Sequence, residues 1–401
     1  AFLKTPAPLL YNLTELQRDA NRLFDLSAKE TLSIMQGLYE SHKVLTYPRT
    51  DSRHLTSDLV ETLKDRVKAC AIEPYRELTR PLLKGPLTSS GNFVDDSKVS
   101  DHHAIIPTEQ PAAWRDLSFK EKQIYDLVVK RFLAVLYPPY EYEQLTVTTT
   151  IDQEKFTARG ITTLRQGWKA VYSNDYNDEE DDEPGKDNQK EQTLPPLSEG
   201  DTLPVLRIEQ TRGETKPPAH FNEGSLLAAM ENPVKFMAGE DKQLIKSISK
   251  SGGLGTVATR ADIIEKLFNS YLIEKQGSSI MITSKGRQLL ELVPEDLKSP
   301  VLTAEWEMKL EAIAKGSLDK EAFVSEMRGY ANTVVDLIKN SEQSFKHDNL
   351  TRTKCPQCES YLLEVKGKKG KMHICPDREC GYKNLVSQTT NARCPQCRKK
   401  L

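Results

Sequence analysis

Six of the seven cysteines in this chain fall after position 350, in three short pairs: Cys355-Pro-Gln-Cys358, Cys375-Pro-Asp-Arg-Glu-Cys380 and Cys394-Pro-Gln-Cys397. No other feature limits the fold so tightly. Two such knuckles supply four thiolates to one tetrahedral Zn²⁺, with Leu362, Leu363 and Val365 as the strand material of a small ribbon. So short a segment cannot fold by burying a core, so metal binding has to provide its folding free energy. Cys394 and Cys397 repeat the first knuckle and read as half of a second ribbon, which makes 353–401 a zinc ribbon plus half of another. Cys70 stands alone, and packing is its expected role.

The remaining 350 or so residues need a different source of stability, and composition provides it. Of 401 residues, 37% are hydrophobic and 28% charged, enough apolar material for two or three packed domains and too much for a wholly disordered chain. No apolar run approaches the ~20 residues of a membrane helix, so no membrane partner is expected. The opening Ala1-Phe2-Leu3-Lys4 lacks a secretory pattern and an initiator Met. The sequence therefore reads as cytoplasmic, and as processed or excised from something longer. Its net charge of −2 hides two poles. Residues 175–191 carry nine acids against Lys186 and Lys190, the mark of a solvated loop, whereas 351–401 carry twelve Lys and Arg against four acids. A charge of the second sign attracts phosphate backbones.

Periodicity organises the rest as a multidomain α+β chain. In residues 1–140 the capping boxes Thr14-Glu15-Leu16-Gln17, Ser27-Ala28-Lys29-Glu30 and Ser118-Phe119-Lys120-Glu121 open helices, the last running to about Leu136. Between them Val44 to Tyr47 reads as extended, Pro48 holds Tyr47 out of the α region, and Ser57 is placed to cap the next helix. From 141 to 215 the pattern turns β-rich, with strands at 144–151 and 202–208 and the acidic loop 174–192 between. Helical patterning returns over 216–345, where Asn222 precedes a capped helix. Within it, residues 252–292 run glycine loop, helix capped by Thr259, hairpin (271–274 and 279–282), and a helix opened by Thr283. That is the order of a winged helix, a module used both to approach DNA and as a protein scaffold.

Two further motifs carry chemistry. In Tyr47-Pro48-Arg49-Thr50-Asp51-Ser52-Arg53, a phenol with pKa ~10 needs a nearby cation or base to act as a nucleophile, and Arg49 is close enough to hold a phosphate. On spacing alone a structural tyrosine before proline is the favoured reading. Asp101-His102-His103-Ala104-Ile105-Ile106-Pro107-Thr108 offers paired histidines, which serve as metal ligands, acid–base groups or ordinary hydrogen-bonded residues.

Together these stretches resemble the type IA DNA topoisomerases, and within them the bacterial topoisomerase III branch. The match lies in Pro8–Tyr11 with Leu13–Gln17, in Thr46–Ser52, in His102–Thr108, and in Gly253-Leu-Gly-Thr-Val-Ala-Thr259-Arg260, in the family's order. The resemblance implies that Tyr47 attacks a phosphodiester of single-stranded DNA, leaving a 5′-phosphotyrosine and a free 3′-hydroxyl. Another strand then passes, and the break is resealed without a nucleotide cofactor. It implies Arg49 and His102 beside the phosphate, and Arg53, His103, Thr259 and Arg260 on the DNA. Residues 1–140 then form the helical domain of the catalytic tyrosine, 141–215 part of a β-rich arch, and 216–345 the single-strand-binding domain. The family's toprim domain and its Mg²⁺ ligands would lie upstream, to be supplied in cis or in trans. Negatively supercoiled or catenated DNA would be the substrate, in the cytoplasm at the nucleoid. The competing expectation is a non-catalytic DNA-binding module of winged helix and ribbon.

Overall fold

A computed structural model describes residues 1–87, 92–172, 194–195, 197–341, 345–367, 370–377, 379–388, 392–393 and 395. The acidic stretch 174–192 and the pair Cys394 and Cys397 lie outside the described residues. The chain divides into two compact units, residues 1–266 with 275–281, and residues 267–274 with 282–401.

The first unit is built on a helical core. It runs β1 (Phe2–Thr5), α1 (Leu13–Phe24), α2 (Ala28–Glu40), α3 (Leu63–Ala69), α4 (Arg76–Lys84) and α5 (Phe119–Leu136), followed by the hairpin β2 (Tyr140–Ile151) and β3 (Glu154–Arg165). The apolar stripes of the helices (Leu13, Leu16, Met35, Leu38, Val67, Ile124, Val128 and Phe132 among them) close on one cluster with Leu45, Leu55, Phe93, Ile105 and Ile106 from the loops. Burial on this scale, roughly 1.5–3 kcal/mol per large side chain, lets those loops be held as firmly as helices. The three strands form an antiparallel sheet in the order β1-β2-β3. Asp152 and Gln153, both at positive φ (46° and 75°), make the tight turn between β2 and β3, which matches the twist of a hairpin. Then come α6 (Glu223–Glu231) and α7 (Lys242–Lys250), and α8 (Arg260–Asn269) begins in this unit. A short hairpin follows, β4 (Ile273–Gln276) and β5 (Ser279–Ile282).

Local sequence set most helix starts. Ser118 Oγ accepts from the Glu121 N–H while the Glu121 carboxylate accepts from the Ser118 N–H, the reciprocal box anticipated there. Ser27 and Asn222 cap α2 and α6 as the sequence suggests. Elsewhere the outcome differs from the sequence reading. The cap of α1 is Asn12, whose Oδ1 accepts from the Glu15 N–H at 2.8 Å, so Thr14 lies inside the helix and is buried. Ser57 does not cap its helix, because its hydroxyl is drawn to the Asp96 carboxylate at 2.8 Å. Thr259 turns its hydroxyl back to the Thr256 N–H at 2.9 Å instead of into α8. At 271–274 the strand starts late, since Tyr271 sits at φ 54°. Residues 202–208 form no strand. Their apolar side chains, Leu206 at 93% exposure the extreme case, meet no neighbouring strand among the described residues, and a strand without a ladder partner has no hydrogen bonds to gain.

The second unit contains α9 (Ser284–Leu292), capped by Thr283, then α10 (Pro300–Ala314) and α11 (Lys320–Lys339), followed by a four-stranded antiparallel sheet. That sheet, in the order β6 (Leu350–Lys354), β7 (Tyr361–Gly367), β8 (Gly370–Ile374) and β9 (Lys383–Gln388), buries a cluster of Cys355, Leu362 and Cys375.

Candidate active site

Tyr47 sits on a loop braced from two sides. On one side it is laced to residues 104–108: Leu45 bridges Pro107, the Thr46 N–H donates to Ile106 O at 3.0 Å, and the Ile106 N–H donates to Thr46 Oγ1 at 3.0 Å. Thr50 Oγ1 donates to His102 O at 2.9 Å, tying the far end of the loop to the histidine pair. On the other side the start of α1 holds it, through the Leu13 N–H to Thr50 O at 3.1 Å and Asn12 Nδ2 to Asp51 O at 3.2 Å. Ile105 pairs in turn with Tyr11.

The two motifs that are 55 residues apart in sequence meet here (Tyr47 and His102, by number). Their rings lie 4.3 Å apart between centroids and tilted by 40°, and the Tyr39 ring from α2 stands edge-on to Tyr47 at 5.5 Å. Tyr47 is half-buried, whereas Arg49 and His102 are exposed. A phenol held by its ring, with its cationic neighbour free to turn, is suited to meet a phosphate. His103 is half-buried, and its Nδ1 lies 2.7 Å from Ala104 O. Because that oxygen can only accept, Nδ1 carries the proton and Nε2 is left as an acceptor. Burial lowers the His103 pKa from its ordinary value, so the ring is neutral at pH 7.

Two expected DNA residues have internal partners. Arg53 Nε donates to Leu10 O at 3.2 Å, bracing the loop. Arg260 is only 2% exposed, with its guanidinium turned inward. Thr259 is exposed beside it.

The sequence reading passed over two charged neighbours. Lys29, in the first turn of α2, pairs with Asp262 of α8 and lies 3.9 Å from Glu265. Asp262 raises the Lys29 pKa, and Arg49 acts against it, which places the two cations near each other. A cation in a helix's first turn opposes the macrodipole, and that was the available signal. The other is Arg131 of α5, whose side chain is 12% exposed. It donates to Leu9 O, Tyr11 Oη and Asp19 Oδ2 at 2.9–3.1 Å and stacks over the Tyr11 ring, fixing the segment in which Tyr11 pairs with Ile105. An arginine inside the apolar run of α5 was legible as a buried ion pair, though not its partner.

In the ribbon, the Sγ atoms of Cys355, Cys358, Cys375 and Cys380 all lie within 4.8 Å of one another, with closest pairs at 3.4 and 3.6 Å. Four thiolates around one Zn²⁺ at about 2.3 Å stand about 3.8 Å apart, so the donor set fits that ion. Among the described residues this is the one grouping of His, Cys, Asp or Glu donors close enough for a metal. The Mg²⁺ implied by the resemblance finds no ligand set among them.

Residues 2–325 match the family model described as DNA topoisomerase. The chain is 61% identical over 398 residues to DNA topoisomerase 3 of Bacillus thuringiensis (strain Al Hakam), covering 99% of this chain and 54% of that protein. It is 58% identical, with the same coverage, to DNA topoisomerase 3 of Bacillus subtilis (strain 168). The chain thus spans about half the length of these curated relatives. Among solved structures, full-length topoisomerase I from Thermotoga maritima resembles it with a TM-score of 0.57 at 23% identity, over 97% of this chain and 58% of that one, a likeness of fold.

Proposed function

The chain belongs to the DNA topoisomerase family, and on that premise we propose that it is the tyrosine-bearing part of a type IA enzyme of the topoisomerase III kind. In this reading the Tyr47 phenol, losing its proton, attacks the phosphorus of a single-strand phosphodiester. The bond to the 3′ oxygen breaks, that oxygen takes up a proton, and a 5′-phosphotyrosine remains until the 3′-hydroxyl reverses the step. Arg49 holds the non-bridging oxygens in bidentate contact and favours the phenolate, while His102 borders the phosphate and the His103 Nε2 atom is a neighbouring acceptor. Thr259 and the ribbon's cations take other phosphates along the strand.

One observation carries the proposal: the half-buried Tyr47 ring is held between Tyr39 and His102, with exposed Arg49 two residues on. Around it, residues 1–140 act as the tyrosine domain, 141–215 as part of an arch, 216–345 as the single-strand domain with its winged-helix-like part 252–292, and 353–401 as the zinc ribbon. The strand-passing cycle relaxes negatively supercoiled DNA or decatenates it, on the nucleoid. It takes its toprim residues and their Mg²⁺ from the longer protein or from a second chain. Among the described residues no helix is long and apolar enough to cross a membrane.

The test is covalent trapping. A 3′-labelled single-stranded oligonucleotide is incubated with the protein and Mg²⁺, with and without a toprim-containing upstream segment, then denatured and run on a gel. An adduct that requires that segment and disappears with Tyr47→Phe supports the proposal. No adduct under either condition would favour a non-catalytic DNA-binding module.

A further inference from the structure

Arg260 has the residue type of a phosphate contact and the surroundings of a structural rivet. Its Nε donates to Leu254 O at 3.2 Å, one Nη2 hydrogen points at Gly255 O at 3.1 Å, and Nη2 also donates to Gly252 O. Nη1 donates to Thr14 Oγ1 at 3.2 Å, and the Glu231 carboxylate lies 3.7 Å away to balance the charge. A buried guanidinium is tolerable only when its donors are matched, and here four of its five N–H groups meet oxygens of the fold.

What it rivets is specific. Residues 252–255 form a loop that most side chains could not follow: Gly252, Gly253 and Gly255 are at φ of 85°, 89° and 68°, and a Cβ on Gly253 would strike the carbonyls of Met230 and Glu231. Such a loop has little intrinsic stiffness, so its shape depends on what binds its carbonyls. Thr14, the fourth acceptor, belongs to the first turn of α1, whose Leu13 N–H and Asn12 side chain grip Thr50 and Asp51 of the Tyr47 loop. We infer that Arg260 is a positioning residue that locks the glycine loop to the start of α1 and, through it, to the loop of Tyr47 and Arg49, without itself touching nucleic acid. Asp51 also acts on Arg260 electrostatically, the proximity this linkage requires.

The inference deepens the proposed function and rests on it for its DNA readout. The test compares the protein with Arg260→Gln and Thr14→Val. Binding of a labelled 20-nucleotide oligothymidylate is followed across a salt series, and amide exchange is read over 252–256 and 47–53. Positioning predicts that Thr14→Val binds about tenfold more weakly, the loss of one charge-assisted hydrogen bond, and Arg260→Gln, which gives up the other matched donors as well, at least as weakly, both with an unchanged slope of log affinity against log salt. Both loops should also exchange faster. A slope reduced by about 0.7 in Arg260→Gln would mean a direct phosphate contact and overturn the inference. So would unchanged affinity and exchange in Thr14→Val, which decides the matter alone if Arg260→Gln does not fold. Failure of the unsubstituted protein to bind the oligonucleotide would strike the proposed function, and the exchange data would still decide for or against the linkage.

Discussion

At the level of single residues, the chemistry near Tyr47 depends on which groups are neutral. The sequence reading separated His102 from His103 only by their place in a motif, and burial separates them physically. His103 donates Nδ1–H to Ala104 O in a half-buried pocket, and burial lowers its pKa below the ordinary 6.5; His54, buried nearby, is lowered in the same way. For each, the folded state binds a proton less readily than the unfolded chain does. The stability they contribute is therefore fully present above the unfolded value of about 6.5 and is lost as pH falls from there through the lower folded-state pKa. The urea midpoint should drop between pH 7 and pH 5 and drop less in His103→Gln, whose amide can still donate to Ala104 O. An equal drop in the variant would show that His103 is not the group responsible. Arg260 teaches the complementary lesson. Its type and its motif both pointed to DNA, but exposure is not written in a motif, and only the packing of Thr14 and the glycine loop reveals where its donors go.

Elements were legible where a local rule decides them and illegible where a distant partner does. The box at Ser118 and the cap at Ser27 follow from hydrogen bonds within four residues. Residues 202–208 alternate like a strand, yet pairing is a property of two segments, and none of the described residues pairs with them. The approach of α8 to α2 was equally hidden, since Lys29 and Asp262 are 233 positions apart. On the proposed function, that contact bears on DNA binding. Lys29, near Arg49, is held by Asp262 and Glu265, and exposed pairs of this kind are weak and screened by solvent, so a phosphate can displace them. Asp262→Asn should release the ammonium and tighten oligothymidylate binding by about 1.5- to 5-fold, while Lys29→Ala weakens it by a similar factor. Fluorescence anisotropy at low salt measures both, and effects of the same sign would contradict the competition.

For the molecule as a whole, the two sources of stability expected from the sequence, an apolar core and a metal site, map onto separate sets of residues. The buried members of the first unit's apolar cluster lie between Leu10 and Val171, with Ala7, Tyr172 and Val257 packed against them, and none of the ribbon's described residues belongs to it. The ribbon's own buried cluster is Cys355, Leu362 and Cys375, far too little apolar surface to offset the entropy of ordering four strands. The cysteine spacing alone predicts a dependence on metal, because a tetrahedral site is a local constraint. The helical core was readable only as stripes, whose mutual packing no single segment encodes. Stripping the metal with a chelator at neutral pH, or replacing Cys355 with Ser, should therefore abolish amide protection across residues 350–388. Amides of α1, α2 and α5 should keep theirs, and calorimetry should show a low-temperature transition disappear while the main one stays in place. If protection in α5 fell along with the ribbon's, the first unit's core would be leaning on the metal, and the separation of the two stability sources would be wrong.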